Sequence, residues 1–240
     1  MARTDEEIFS TLQEYSACDV SDALLKLETV PKGATRYAGF IADIVPFSPS
    51  RNDLEKQQKT IGYASTVKFI SKADPLPAES LDAEHGFPSG THWVDHTRAD
   101  TVVLLDQPDG QKCAILGGIM ASRMKVRGAK GAVVNGRVRD LAELRSLQFP
   151  VWASATSTVG TGAEAKPALH NVPICIQGVT VSPGDILFCD PLEGVVAIPN
   201  GLVNDVLDLM PKLVAADDKV KLDVLNGSTV FEAFRKHRNG

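Results

Sequence analysis

The chain has 240 residues, of which 43% are apolar and 23% charged, and its formal net charge is −5. This composition is ordinary for a globular protein with a sizeable core. A mildly acidic chain lacks the basic face that general nucleic-acid binding requires, and no apolar run approaches the ~20 residues of a membrane span. Residues 1–7 contain no apolar signal segment. We therefore expect a soluble cytoplasmic protein without nucleic-acid or membrane partners.

Apolar spacing in the first 100 residues predicts two helices and two strands. Ile8, Leu12 and Tyr15 predict a helix over 5–15, and a second helix is expected to start near Asp19. Strand-like runs follow at 37–46 and 62–70, with a polar loop from Ser48 to Asp53 between them. Residues 73–92 hold three prolines and two glycines, which predicts a long surface loop of the kind that often carries function.

Helix and strand patterns alternate in the middle of the chain. The apolar run 102–105 predicts a strand that enters a hairpin with 112–116. A helix at 118–127, a strand at 131–135, a helix at 140–147 and a strand at 150–154 then predict α/β layers.

The last third is expected to add short strands near 172–177, 185–190 and 194–198, then helices at 202–224 and 228–237. We expect one domain over residues 1–240. Its N-terminal helix lies within 1–15, and a C-terminal helical arm covers 202–240.

The cysteines and histidines give little support for a metal site. The four cysteines form no C-x-x-C pair, and most lie in apolar runs, so buried free thiols are expected rather than a zinc site. His92 and His96 have the spacing that places two rings on one helical face. They lie in the Pro/Gly-rich region without an H-E-x-x-H pattern, which makes a metal site there the less favoured interpretation.

Two glycines, Gly117 and Gly118, precede the predicted helix that carries Ile119 and Met120. Amide groups at a helix N-terminus lack partners within the helix, and they bind carboxylates or phosphates readily. Glycine also allows a ligand to approach the backbone closely. The alternative is a simple turn that binds no ligand. The two glycines alone do not distinguish an anion-binding site from such a turn.

A pair of charged residues, Arg139 and Asp140, follows the predicted strand at 131–135. One interpretation is structural: Asp140 as helix N-cap and Glu143 at the third helical position form a capping box. That interpretation does not account for Arg139, whose planar guanidinium suits a carboxylate. Both interpretations stand on the sequence.

Taken in order, these segments resemble the RraA-like family, which includes the 4-hydroxy-4-methyl-2-oxoglutarate aldolases. The resemblance covers roughly residues 15–235, and its motifs are at 19–24, 62–67, 117–143, 149–151 and 184–199. It implies an α/β chain with a β/β/α swivelling fold and C-terminal helices. It also implies a homotrimer or hexamer with the active site between subunits.

The resemblance further implies a class II aldolase that uses Mg²⁺ or Mn²⁺, acts on a small keto acid and also decarboxylates oxaloacetate. On this chain Arg139 would bind the substrate and stabilise its enolate oxygen, and Asp140 would hold the metal. The backbone of Gly117, Gly118, Ile119 and Met120 would bind the substrate carboxylate.

The chain departs from the family motif at one position. The motif has an Asp separated by twenty residues from the Arg-Asp pair, and Gly118 stands there. A second version of the motif has Gly at that place and a Glu three residues after the Asp, which Glu143 matches. The family also draws an acid from a neighbouring subunit's C-terminal helix, where Asp217 or Asp218 falls.

The departure at Gly118 leaves two functions open. One is a metal-dependent lyase, in which Glu143 organises the water that Asp would otherwise hold. The other is a non-catalytic regulator of the RraA type, which inhibits an endoribonuclease by contact alone.

Overall fold

The computed structural model describes residues 3–27, 36–49 and 58–238. Its helices are α1 Asp5–Gln13, α2 Ala17–Lys26, α3 Gly118–Val126, α4 Leu141–Ser146, α5 Val203–Leu225 and α6 Val230–His237. Its strands are β1 Phe40–Ile41, β2 Val45–Ser48, β3 Thr60–Ser71, β4 Thr101–Asp106, β5 Gly131–Val138, β6 Val151–Thr156, β7 Ala165–His170, β8 Ile174–Ile176, β9 Val179–Val181, β10 Ile186–Asp190 and β11 Gly194–Ile198.

A nine-stranded mixed sheet organises the chain. Its order is β1-β11-β10-β3-β4-β5-β6-β2, and β7 pairs with β3. The four central strands β3, β4, β5 and β6 are parallel, and the outer pairs are antiparallel. The crossovers from β4 to β5 and from β5 to β6 contain α3 and α4, as parallel pairing requires. The predicted α/β class is confirmed.

The two faces of β4 pack against different layers. Val103 and Leu105 belong to the core cluster that contains Met124 of α3 and Leu144 of α4. Val102 and Leu104 face the other way, into a cluster with the β8–β9 hairpin. This alternation, which follows from the two-residue period of a strand, produces the predicted β/β/α layering. A third cluster packs α1, α2 and α5 against β10 and β11.

Most predicted helices and strands are confirmed, but the run 37–46 is not one strand: it contains a short 3-10 helix, β1, a turn and the start of β2. The helices and strands of the central segment, the hairpin of β10 and β11 and the two C-terminal helices lie close to their predicted bounds. Residues 112–116 do not pair with β4 as a hairpin. They form isolated parallel bridges, Ala114 to Gly160 and Leu116 to Val138, because both edges of β4 are taken by β3 and β5.

Two predictions about the organisation of the chain are not tested. The polar loop from Ser48 to Asp53 falls largely outside the described residues, and a single domain over 1–240 stays a prediction. Among the helices of the described ranges, none is long and apolar enough to cross a bilayer.

The prediction of buried thiols is confirmed for Cys113 and Cys189 and wrong for Cys18 and Cys175, which are exposed. Cys18 lies on the outer side of α2, where its sulfur is 3.5 Å from Glu193 Oε2. Partial burial and the Glu193 carboxylate raise the pKa of the Cys18 thiol. Cys175 lies at a central position of β8 whose side chain points away from the core.

We expect two of the four thiols to react with a disulfide reagent in the native protein and all four after denaturation. The thiolate is the reactive form. Because the pKa of Cys18 is raised, Cys18 holds less thiolate at pH 7, and we expect it to react more slowly than Cys175. Absorbance at 412 nm during reaction with Ellman's reagent measures both phases. A fast phase that survives Cys175→Ser would contradict the assignment.

Candidate active site

The predicted site lies at the carboxyl ends of the parallel strands, where open α/β sheets bind ligands. β5 ends at Val138, which forms a parallel bridge with Leu116, the residue before Gly117. The Arg139 amide donates to Leu116 O at 3.0 Å. These contacts hold the Arg-Asp pair beside the start of α3, although Gly118 and Asp140 are 22 positions apart in the sequence.

Asp140 does not cap α4. Its backbone is left-handed, with φ of 59°, and its side chain makes no capping hydrogen bond. Its Oδ2 instead accepts a hydrogen bond from the Gly118 amide at 3.1 Å and lies 3.4 Å from Arg139 Nε. Left-handed backbone at a non-glycine residue is strained and is concentrated at functional sites. The capping-box interpretation of Asp140 and Glu143 is therefore wrong.

Two glycines make room for the Arg139 side chain. A Cβ atom at Gly117 would lie 2.6 Å from Asp140 Oδ2 and 3.2 Å from Arg139 Nε. A Cβ atom at Gly160 would lie 3.0 Å from the Arg139 Nη1 atom. The sequence gives no signal for this role of Gly160, because its proximity to Arg139 depends on the bridge between Ala114 and Gly160.

Gly118 and Glu143 occupy one space between them. A Cβ atom at Gly118 would overlap the Glu143 carboxylate. A side chain at position 118 and the Glu143 side chain would fill the same volume, so the two cannot be present together in this arrangement. The departure from the family motif leaves a carboxylate in place at this point of the structure.

The amides at the start of α3 remain available to a ligand. The helical ladder begins with the Ala121 amide, which donates to Gly117 O at 3.0 Å. The Gly118 amide donates to Asp140, which leaves the amides of Ile119 and Met120 as the two at the start of α3 that can donate to a ligand. The positive end of the helix dipole adds to their attraction for an anion.

These groups line a cavity of about 510 Å³. The residues predicted to form the site that line it are Gly117, Ile119, Met120, Arg139 and Asp140. Gly118, which is buried, and Glu143 lie next to it without lining it. The remaining lining residues are Leu76, Ser80, Phe87, Thr91, His92, Trp93, Ala114, Ile115, Thr161, Gly162, Ala165, Lys166, Pro167 and Ala168.

Asp217 does not meet the other predicted site residues within the described chain. It lies on α5, accepts a hydrogen bond from Arg238 Nε at 2.6 Å and lines a separate cavity of about 320 Å³. Its predicted role depends on a second copy of the chain and stays a prediction.

Gln107, which no sequence motif singles out, joins two segments that lead to the site. Its buried amide donates to Cys113 O at 2.8 Å and accepts from the Arg137 amide at 2.9 Å. It thus links the segment that leads to Gly117 with an irregular part of β5, where the register of β5 against β6 shifts between Val134 and Arg137. Such bulges re-aim side chains near active sites. A lone glutamine after a strand carries no sequence signal for this role.

His92 and His96 lie in different surroundings. Among the described residues, no group of three or more His, Cys, Asp or Glu side chains is arranged to hold a metal ion. His92 lines the cavity, and its Nδ1 accepts from the Val94 amide at 3.3 Å. His96 turns towards His170, and their ring centroids are 5.0 Å apart.

Comparison with known proteins gives two kinds of relative. The chain is 26% identical over 230 residues to the protein DlpA of Legionella pneumophila. The aligned region covers 96% of this chain but only 34% of DlpA. It is 32% identical over 197 residues to a protein of Halalkalibacterium halodurans that is provisionally named a 4-hydroxy-4-methyl-2-oxoglutarate aldolase, covering 82% and 86% of the two chains. A Thermus thermophilus protein with that aldolase name is 34% identical over 106 residues, 44% of this chain and 63% of that one.

Solved structures and a family model agree on the fold. The Streptomyces coelicolor protein RraAS2, described as an unusual member of the RNase ES inhibitor RraA family, superposes with a TM-score of 0.67 at 22% identity, covering 95% and 100% of the chains. An uncharacterised protein from Pseudomonas syringae superposes with a TM-score of 0.71 at 19% identity, covering 97% and 99%. The model of the RraA-like family, described as Aldolase/RraA, matches residues 17–197. The chain belongs to the RraA-like family.

Proposed function

We propose that this protein is a divalent-metal-dependent carbon–carbon lyase for pyruvate-derived keto acids, cleaving 4-hydroxy-4-methyl-2-oxoglutarate-type aldols and decarboxylating oxaloacetate. One observation carries the proposal. Arg139 and Asp140 line the same cavity, with Arg139 Nε 3.4 Å from Asp140 Oδ2, and this oxygen accepts a hydrogen bond from the Gly118 amide, the first of α3. The aldolase names of two relatives support the reaction class.

The donor set at this point suits Mg²⁺ or Mn²⁺. Asp140 Oδ2 is engaged by Gly118 and Arg139, while no described hydrogen bond engages Oδ1. Glu143 places a second carboxylate beside Gly118. Magnesium is commonly held by one or two carboxylates with water and substrate completing its shell. Asp140 would hold the ion directly and Glu143 would orient its water; the ion would act as a Lewis acid on the keto oxygen.

The chain's own residues would bind and polarise the substrate. The amides of Ile119 and Met120 would hold the carboxylate at the positive end of α3. In aldol cleavage a base of the site would take the C4 hydroxyl proton as C4 becomes a carbonyl. When the C3–C4 bond breaks, or when oxaloacetate loses CO₂, the electron pair of that bond moves into the C2–C3 bond and negative charge develops on the C2 oxygen. The Arg139 guanidinium would stabilise that oxygen where charge develops. A proton delivered to C3 then yields pyruvate.

The proposal includes assembly as a homotrimer or hexamer. Asp217 of the partner subunit would supply the further acid that the family resemblance implies. In one protomer this carboxylate pairs with Arg238, so the role requires the pair to rearrange on assembly.

Pyruvate release from oxaloacetate tests the proposal. With Mg²⁺ or Mn²⁺ we expect turnover well above that of the free metal, and EDTA is expected to abolish it. Coupling to lactate dehydrogenase measures the rate, and metal without protein is the control. If neither oxaloacetate nor 4-hydroxy-4-methyl-2-oxoglutarate yields pyruvate above that control, the lyase is refuted and the non-catalytic regulator becomes the better explanation.

A further inference from the structure

The segment that leads to Gly117 has no regular strand to fix it. Within the described ranges, residues 111–116 form isolated bridges, Ala114 to Gly160 and Leu116 to Val138, rather than a continuous ladder. A strand inside a sheet is held by its ladder of backbone hydrogen bonds. The position of this segment depends instead on individual contacts, and the start of α3 follows directly from it in the chain.

The Glu164 side chain makes two of these contacts. Its Oε2 atom accepts hydrogen bonds from the amides of Lys112 at 2.6 Å and Cys113 at 2.7 Å. The same two amides lower the pKa of the Glu164 carboxyl below its usual value. Hydrogen bonds to an ionised acceptor are shorter and stronger than those between neutral groups. One carboxylate therefore holds two consecutive amides shortly before Gly117.

The Glu164 backbone is itself anchored to the central sheet. Its carbonyl oxygen accepts from the Lys72 amide, directly after β3, at 2.7 Å, and from Gln111 Nε2 at 3.0 Å. Glu164 ends the stretch 159–164, which we call the clamp segment, and β7 begins at the next residue and pairs with β3. The carboxylate is thus attached to a part of the molecule that the core fixes.

The clamp segment contacts both halves of the site. The Ala114 amide donates to Val159 O at 2.8 Å, and Thr161 Oγ1 donates to Ala114 O at 2.7 Å. Gly160 lies against the Arg139 guanidinium, since a Cβ atom there would be 3.0 Å from Nη1. The clamp segment therefore joins the guanidinium to the chain that enters α3. All of these contacts lie within one chain, so they do not depend on a second subunit.

We propose that Glu164 is a positioning residue, whose carboxylate fixes the start of α3, with the amides of Ile119 and Met120, relative to Arg139. The inference rests on the proposed function, because that function assigns those amides to the substrate carboxylate. Placement of the binding groups before the substrate arrives avoids an ordering cost at each binding event. A misplacement of about 1 Å by a distant substitution can cost as much as 10²-fold in rate.

Hydrogen–deuterium exchange tests the two contacts directly. In Glu164→Ala the amides of Lys112 and Cys113 lose their acceptor, and we expect them to exchange about tenfold faster or more, as for the loss of a hydrogen bond to a charged group. Glu164→Gln keeps a side-chain oxygen as acceptor, so exchange close to that of the native protein is expected. Mass spectrometry of peptides that cover residues 109–117 measures both. Unchanged exchange in Glu164→Ala overturns the proposal.

Pyruvate binding distinguishes positioning from a merely structural role. In Glu164→Ala we expect the Kd for pyruvate with Mg²⁺ and the KM for oxaloacetate to rise about tenfold, while kcat changes less than about threefold. The reason is that contacts to the substrate carboxylate are equal in the ground and transition states. Glu164→Gln is expected to restore both constants. A structural role alone would lower the folded fraction, and with it the apparent kcat, at unchanged Kd and KM; that result overturns the proposal.

Asp109→Ala is the matched control. Asp109 is exposed in the turn before the same segment and does not line the cavity, so its removal changes the net charge equally, and native exchange and Kd are expected. Glu164→Asp keeps the charge on a shorter side chain, so an intermediate Kd is expected. Thermal unfolding of each variant shows whether the fold is retained. An equal rise of Kd in Asp109→Ala and Glu164→Ala would show an effect of charge alone and overturn the proposal.

Binding and turnover together separate this proposal from the proposed function. If the native protein binds pyruvate but releases none from oxaloacetate or from the aldol, the lyase is refuted, while a tenfold rise of Kd in Glu164→Ala still supports positioning. If the native protein binds no pyruvate with either metal, both are refuted, because the amides then have no substrate carboxylate to hold.

Discussion

Replacing Arg139 with alanine is expected to lower kcat/KM for oxaloacetate decarboxylation by about 10²- to 10³-fold, the usual effect of removing one group that stabilises a developing oxyanion. The fold is expected to persist, because the side chain is 42% exposed and its close charged neighbour is Asp140. Arg139→Lys keeps the charge but loses the planar fork, so an intermediate rate is expected. Coupled pyruvate release and thermal unfolding measure the two effects.

Arg98→Ala is the matched control for this experiment. Arg98 is exposed and does not line the cavity, so its removal changes the net charge equally without touching the site. If Arg139→Ala turned over oxaloacetate at the rate of Arg98→Ala, the assignment of Arg139 would be wrong.

The second large effect is expected at Gly118. Gly118→Ala places a methyl group where the Glu143 carboxylate lies, so Glu143 must turn away into solvent. Because Glu143 is exposed, the fold should tolerate this movement. We expect activity to fall by about 10- to 100-fold, as when an outer-shell group of a metal site is lost. The dependence of the rate on Mg²⁺ concentration is expected to move to higher concentrations.

A double substitution distinguishes displacement of Glu143 from damage to the backbone. Gly118→Asp with Glu143→Ala restores one carboxylate in the shared space, and its activity is expected to exceed that of Gly118→Ala. Gly201→Ala is the control, because a Cβ atom there meets nothing within 4 Å. Equal activity of Gly118→Ala and the native protein would show that the position of Glu143 is not used.

Local sequence patterns predict that the glycine turn and the charged pair share one site, and the structure brings them together. The glycine turn before α3 and the Arg-Asp pair after β5 belong to consecutive parallel strands. Their proximity follows from the handed crossover that such strands require. The residues that line the cavity opposite them come from β7 and the 73–92 segment. β7 was not predicted, because Lys166, Pro167 and His170 obscure its short apolar pattern.

Local capping rules failed at Asp140 for a physical reason. An aspartate before a helix with Glu three residues later satisfies the pattern of a capping box. In the folded chain the Gly118 amide and Arg139 compete for the same carboxylate, and the backbone turns left-handed to meet them. A contact between residues 22 positions apart thus outweighs the local one.

The sequence by itself determined the α/β class, the family and the identity of the charged pair, because periodicity, turns and motifs are local properties of the chain. The tertiary structure decided that Glu143 fills the space that Gly118 leaves open, that Asp217 is paired with Arg238, and that β7 and the 73–92 segment line the same cavity as Arg139. These features depend on which distant segments share a volume, and packing of the whole chain sets that.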